Sequence, residues 1–365
     1  VRCVGGVQDY GFEVLDSLFG APRKGGEAAP AFPASAKLRA GLLALSIFDF
    51  APPFVESIPR ARLWAPAVLA GPIPPYFSRA AAPLAILDGP SFSDSVGHFL
   101  MDNVVSALQG ASIFGLFDLV EDAQVLLETE CRIPGRLAKR PRSERCAHNY
   151  RSLLSIAFNR PVAHLSRIPP ADTVCFPRLI AGQGSAFALS SATPPAALFR
   201  AFRDLALRRF RIPPRIGGGG VGQMEHQVLV CEKQGQGSMN LPHWPNACSD
   251  ATSALGLLFP SLSPRCLNPA LLPLAQQARE AAGATVTVAE HGTTALVMSL
   301  FASDLSAMVS VGQTPLKDGQ PLLRLSHLQV LYVEVTHQAH DLPVALRTAL
   351  NLARGGGALP RARFL

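Results

Sequence analysis

Residues 284–302 constrain the fold more tightly than any other stretch of this chain. Ala284-Thr-Val-Thr-Val-Ala289 is short, uncharged and rich in β-branched residues. Such a run suits a strand buried on both faces of a parallel sheet. Ala295 to Ala302 is a helix-forming run rich in Leu and Met. The two are joined by Glu290-His291-Gly292-Thr293-Thr294. A helix N-terminus has unpaired N–H groups and the positive end of the helix dipole, which suits a phosphate. Gly292 lets the backbone approach a ligand closely. Thr293 and Thr294 are expected to cap the helix and to add hydroxyl donors. An ordinary β–α turn capped by threonine would use the same residue types.

The flanking pattern repeats the alternation. Strands are expected over 227–231, 307–311 and 328–335, and helices over 276–282 and 342–353. Strand and helix in turn at this spacing predict a doubly wound parallel sheet. Upstream, Ser93, Asp94 and Ser95 offer caps to a helix whose apolar stripe is Met101, Val104, Val105 and Leu108. A strand follows at 124–128 and helices at 149–158 and 194–211, the last with Leu198, Phe202, Leu205 and Phe210 turned inward. Between the halves lies Ile212-Pro-Pro-Arg-Ile-Gly-Gly-Gly-Gly220. It reads as a linker and not as a P-loop, because no Gly-Lys-Ser/Thr follows. The expected division is therefore 1–215, a Gly-rich linker at 216–222, a second α/β domain at 223–335, and a terminal helix and tail at 336–365. Within the first part, residues 1–80 are rich in Pro, Ala and Gly and leave little to assign.

Composition narrows the partners. With 365 residues, 48% of them hydrophobic and 16% charged, the chain has material for one large or two medium cores. The net charge of +7 is spread over many arginines. The densest basic run, Arg132 to Arg145, includes Pro134, Gly135 and Pro141 and reads as a solvated insertion. Basic residues interleaved with aromatics are missing, so no nucleic-acid partner is expected. A cationic surface favours an anionic nucleotide-sugar or a polyanionic acceptor. No uncharged apolar run approaches the ~20 residues of a spanning helix, and no signal peptide is visible. The first residue is Val, which leaves room for an anchor segment ahead of it. The seven cysteines fit no zinc spacing. An oxidising compartment would permit disulfides with one thiol left over, and Cys146 with Cys175 is the pairing taken first.

Four blocks in order resemble glycosyltransferase family 61. Gly97-His98-Phe99-Leu100-Met101-Asp102 is similar to its Gly/Phe-His-x-x-x-Asp helix. Val174-Cys175-Phe176 through Gly182 is similar to its Val-Cys-Phe…Gly segment. Val228 to Cys231, running on to Asn240, sits where the family has a strand, basic residues and Asn. Gln276-Gln277 with Glu290-His291-Gly292-Thr293 resembles its C-terminal signature. The resemblance covers about residues 90–315 and implies two Rossmann-like domains facing a cleft, the GT-B arrangement. It implies an inverting transfer from a nucleotide-sugar, of UDP type, to a glycan or a Ser/Thr hydroxyl of a protein. It also implies a Golgi or endoplasmic-reticulum location. GT-B enzymes usually dispense with a metal, so no metal and no further cofactor is expected.

The site follows from what sugar transfer needs. An acceptor hydroxyl must lose its proton as it attacks, the reacting centre must be held in line, and the departing diphosphate must be stabilised. His98 and Asp102 are four positions apart on a helix and share a face. Either His98 oriented by Asp102, or Asp102 itself, would be the base; a plain polar face would look the same. Asn103 beside them could bind a sugar hydroxyl, although a solvated Asn is the reading preferred. For the diphosphate the candidates are Lys233, Glu290, His291, Gly292, Thr293 and Thr294. His291 could equally be a satisfied core histidine, and Lys233 a plain surface lysine. Departures from the family matter here. Only Lys233 is basic after the Val228 strand, Gln276 replaces a Glu, and Ser310 stands near where a ribose-binding Glu is often found. The alternative is therefore a non-catalytic relative that keeps a glycan- or partner-binding surface and has a degenerate donor site.

Overall fold

The computed structural model describes residues 2–5, 78–88, 94–127, 144–164, 173–180, 196–213, 228–232, 244, 246–312, 329–333, 338–355 and 362–364. The protein is a mixed α/β chain with two parallel sheets and one small mixed sheet. It divides into two compact units, residues 1–93 with 106–184 and residues 94–105 with 185–365. His98 and His291 both belong to the second unit. The Gly-rich stretch itself lies outside the described residues.

The first unit contains β1 (Arg2–Gly5), β2 (Ser78–Arg79), β3 (Ala85–Asp88), α1 (Ser106–Ile113), β4 (Gln124–Leu127), α2 (Glu144–Ser152), β5 (Ala163–His164), β6 (Thr173–Phe176) and β7 (Leu179–Ile180). Strands β5-β4-β3-β7 form a parallel sheet in that order. The small sheet is β1-β6-β2, with β1 antiparallel and β2 parallel to β6. Every residue of β3 is buried, as a central parallel strand requires. Helix α2 starts at Glu144, five residues before the expected 149, and gives way to a 3₁₀ turn at Leu154–Ile156. An acidic residue in its first turn complements the helix dipole, a signal that hydrophobic periodicity does not register.

The second unit opens with one α-turn (Val96–His98) followed by a π-helix (Phe99–Val105). Then come α3 (Ala196–Arg209), β8 (Val228–Cys231), α4 (Ala247–Leu258), β9 (Arg265–Leu267), α5 (Leu274–Gly283), β10 (Val286–Glu290), α6 (Thr293–Phe301), β11 (Ala307–Val311), β12 (Gln329–Val333), α7 (Gln338–Gly355) and β13 (Ala362–Phe364). The six strands lie in the order β13-β12-β11-β10-β8-β9, all parallel. Val228, Val230, Val286, Val288 and Val309 point to one face, packed with Ala247, Ala251 and Leu255 of α4 and Leu342, Leu346 and Leu350 of α7. Each fully buried Val or Leu among these contributes about 1.5–3 kcal/mol of transfer free energy. The alternate residues turn to the opposite face, and α6 packs against β10 and β11. Arg203 of α3 donates to Asp304 Oδ1 at 2.8 Å and to the Ala302 carbonyl at 3.3 Å, which ties α3 to the turn after α6.

A disulfide joins Cys248, in the first turn of α4, to Cys266 on β9, with Cα atoms 5.8 Å apart. Cys231 is a buried free thiol whose pKa burial pushes up to about 12. Cys146 is also disulfide-bonded; the side chain of Cys175 lies outside the described residues.

Candidate functional site

The winding of the second sheet singles out one place. After β8 the chain adds β9 on one side, then returns to place β10, β11 and β12 on the other. The strand order therefore reverses between β8 and β10. In open α/β sheets ligands sit beyond the C-terminal ends of the strands at such a reversal. Ala289 and Cys231 are in register there, so Glu290 to Thr294 and Glu232 occupy the two strand ends.

The turn after β10 has a buried base and an exposed tip. Glu290 is buried, and its carboxylate accepts the backbone N–H of Trp244. The His291 N–H donates to the Val311 carbonyl at 2.7 Å, extending the ladder one residue past the strand. Its imidazole is buried, with Nδ1 3.4 Å from the Ser310 hydroxyl. Gly312 lies flush against it, since a Cβ at 312 would come within 2.5 Å of the His291 Cβ. Gly292 then adopts φ 114° and ψ −150°, a conformation essentially reserved for glycine. Its carbonyl accepts the Leu296 N–H at 3.0 Å and starts α6.

One expectation needs correction here. Neither Thr293 nor Thr294 caps α6. Gly292 is the cap residue, no side chain closes the cap, and the threonines are the first two helical residues. The register of the turn explains this, because helical geometry begins one residue sooner than the threonine pair suggests. Thr293 is exposed and Thr294 half-buried. The Thr293 hydroxyl instead lies 3.3 Å from that of Ser95.

Ser95 leads into the segment that carries the proposed base. His98 Nδ1 lies 3.0 Å from Asp102 Oδ2, with the His98 side chain 37% exposed and that of Asp102 1% exposed. The shared face survives although the backbone is π-helical from Phe99, a form found frequently at functional sites. Asn103, expected to be solvated, is 1% exposed; the π-helix buries all seven of its residues. Gly97 is buried against α6, and a Cβ there would sit 2.8 Å from Thr293 Cγ2. The segments around His98 and Thr293, nearly two hundred residues apart in sequence, thus touch within one unit. Glu232, at the end of β8, accepts the Cys248 N–H at 3.2 Å. Lys233 lies outside the described residues. Among the described residues no three His, Cys, Asp or Glu side chains cluster to hold a metal ion, and no helix is long and apolar enough to cross a membrane.

Sequence reasoning named Gly97 in the family-like helix without giving it a role, and missed Gly312 and Trp244. A buried glycine inside a helical segment is the one signal that could have pointed to Gly97, since glycine there is unfavourable unless something needs the space. Compared with protein-family models and with curated proteins, the chain matches none.

Proposed function

We propose that the chain is an inverting glycosyltransferase of GT-B type, with two Rossmann-like domains, that moves a sugar from a UDP-sugar to a hydroxyl of a glycan or protein. The observation that carries this reading is the contact between the His98–Asp102 segment and the Gly292–Thr294 turn, beside the strand reversal of a parallel sheet. With Nδ1 of His98 committed to Asp102, Nε2 is the nitrogen that takes the acceptor's proton. The acceptor oxygen bonds to the anomeric carbon as the bond to the β-phosphate oxygen breaks, and UDP departs. The first backbone N–H groups of α6 and the Thr293 and Thr294 hydroxyls stabilise the departing diphosphate. Glu290 and His291, both buried, act from beneath: one fastens Trp244, the other rests on Ser310. Three disulfide-bonded cysteines, Cys146, Cys248 and Cys266, favour an oxidising compartment such as the Golgi or endoplasmic-reticulum lumen.

One observation favours the second reading, a non-catalytic glycan- or partner-binding protein. The two strand ends at the reversal carry carboxylates, Glu232 and Glu290, where a donor diphosphate would add further negative charge. Calorimetric titration of UDP separates the two. Wild type is expected to bind, and Thr293→Ala and His291→Ala to weaken binding by about tenfold, or about 1.4 kcal/mol. A screen of UDP-sugars for released UDP then tests turnover. A folded wild type that does not bind UDP leaves the non-catalytic reading standing.

A further inference from the structure

We infer that Gly97 is a positioning residue that sets the spacing between the proposed base and the donor-phosphate turn. The inference rests on the glycosyltransferase reading and deepens it. Three observations carry it. Gly97 has an ordinary negative-φ helical backbone, so no backbone conformation demands glycine. Glycine inside a helix costs about 1 kcal/mol relative to alanine, and the position is buried. The neighbour supplies the reason. A Cβ at 97 would meet Thr293 Cγ2 at 2.8 Å and the Thr293 backbone Cα at 3.4 Å. The near atom is on a short β-branched side chain and the next is backbone, so neither swings away cheaply. Removing every side-chain atom at 97 is what allows the two segments to touch.

That contact sits between the two groups whose separation matters. His98 is the next residue after Gly97, and Thr293 is the first residue of α6. The Ser95 and Thr293 hydroxyls, 3.3 Å apart, hold the same junction from its exposed side. Ser95 occupies the cap position of the Val96–His98 turn, yet its side chain makes no cap bond there; it reaches across to Thr293 instead. A methyl at 97 would push the segment away from α6. The base would then move relative to a diphosphate held at Gly292–Thr294. Misplacement of a reacting group by about 1 Å can cost about a hundredfold in rate without loss of binding.

The test is a double-mutant cycle on the full chain with wild type, Gly97→Ala, Thr293→Ser and the double variant. UDP affinity is measured by calorimetry, and kcat and KM by UDP release from the UDP-sugar that wild type turns over. Gly97→Ala is expected to lower kcat by about tenfold or more, with UDP affinity within about threefold of wild type. In the Thr293→Ser background, which lacks Cγ2, the same substitution is expected to cost less than about threefold in kcat. Wild-type kcat in Gly97→Ala, or an equal loss in both backgrounds, overturns the inference. Should Gly97→Ala fail to fold, Ser95→Ala carries the test, because it adds no bulk and removes the hydroxyl contact; wild-type kcat there overturns it. If wild type neither binds UDP nor releases it from any UDP-sugar, the underlying reading has failed, a result distinct from an active enzyme indifferent to residue 97.

Discussion

The ends of β3 and β10 invite comparison, because each closes a central strand of a parallel sheet with a buried carboxylate. In the first unit the chain runs from β3 to β4 and β5 on one side, then places β7 on the other. The order therefore reverses at β3, as it does at β8 and β10 in the second unit. Asp88, 2% exposed, accepts the Tyr150 hydroxyl of α2 at 2.8 Å. Glu290, 8% exposed, accepts the backbone N–H of Trp244, ahead of α4. Both carboxylates fasten a neighbouring element to a strand end. Beyond β10, Gly292 turns the chain and Thr293 comes to the surface, whereas the residues directly after Asp88 lie outside the described residues. A buried carboxylate at a strand reversal is therefore not by itself evidence of a ligand site, since at both ends it fastens a neighbouring element.

The sharpest way to break this comparison is to ask which carboxylates matter for turnover. His98→Ala and Asp102→Asn are each expected to lower kcat by about a hundredfold or more, the range for loss of a general base or its partner. Asp102 is as deeply buried as Asp88 and differs in its partner, a half-exposed imidazole against a buried phenol. Transfer assays on the two variants that return wild-type kcat would remove the distinction between the carboxylates.

Next in size is the Cys248–Cys266 disulfide. It anchors the first turn of α4, whose Cys248 N–H is held by Glu232, to the edge strand β9. A bridge across a sequence separation of 18 contributes about 3 kcal/mol in the chain-entropy account. Cys266→Ser is expected to lower the unfolding free energy by that order in a urea titration. Since Trp244 and Cys248 flank the start of α4, it should weaken UDP binding as well. Unchanged UDP affinity in a destabilised variant would show that fastening at β8 and β10 is independent of the exposed tip.

Gly292→Ala probes the tip directly. Nothing lies within 4 Å of where a Cβ would stand, so space is not the obstacle. The cost is backbone strain at φ 114° and ψ −150°, about 1–3 kcal/mol. Thermal melting should register it, and UDP affinity should fall because the turn relaxes. Gly97→Ala is the contrast, with an ordinary backbone and a steric clash.

Much of the second unit was legible in the sequence. Strands β8, β10, β11 and β12 and helices α3, α5, α6 and α7 follow the expected runs to within a few residues, because buried parallel strands are continuous apolar stretches. Helix α4 was missed, since Ala247-Cys-Ser-Asp-Ala-Thr-Ser is built from small and weak helix formers. Strand β9 was missed because Arg265 and Cys266 are exposed at a sheet edge, where no apolar run is needed. The disulfide joining these two elements was therefore invisible as well. The His98–Asp102 pairing was readable from spacing alone, whereas its contact with Thr293 was not. That contact depends on a tertiary approach permitted by one glycine.

The smallest expected effect bears most directly on the two strand ends. Tyr150→Phe deletes the hydroxyl that Asp88 accepts and leaves the ring packed in place. The loss for one such bond is about 1.5 kcal/mol, the lower end of the range for a bond to a charged group. The reading of Asp88 as a fastening predicts a lower unfolding midpoint in urea and no change in UDP affinity or kcat. Glu290→Gln keeps an acceptor for Trp244 but adds N–H donors in a buried place, so a comparable loss of stability is expected there. In this case UDP affinity should fall with it, because Glu290 supports the residues that follow it in the turn. If both variants lost stability and neither changed UDP affinity, the turn after β10 would be as purely structural as the end of β3. If Tyr150→Phe lowered kcat, the first unit's strand end would belong to the chemistry after all.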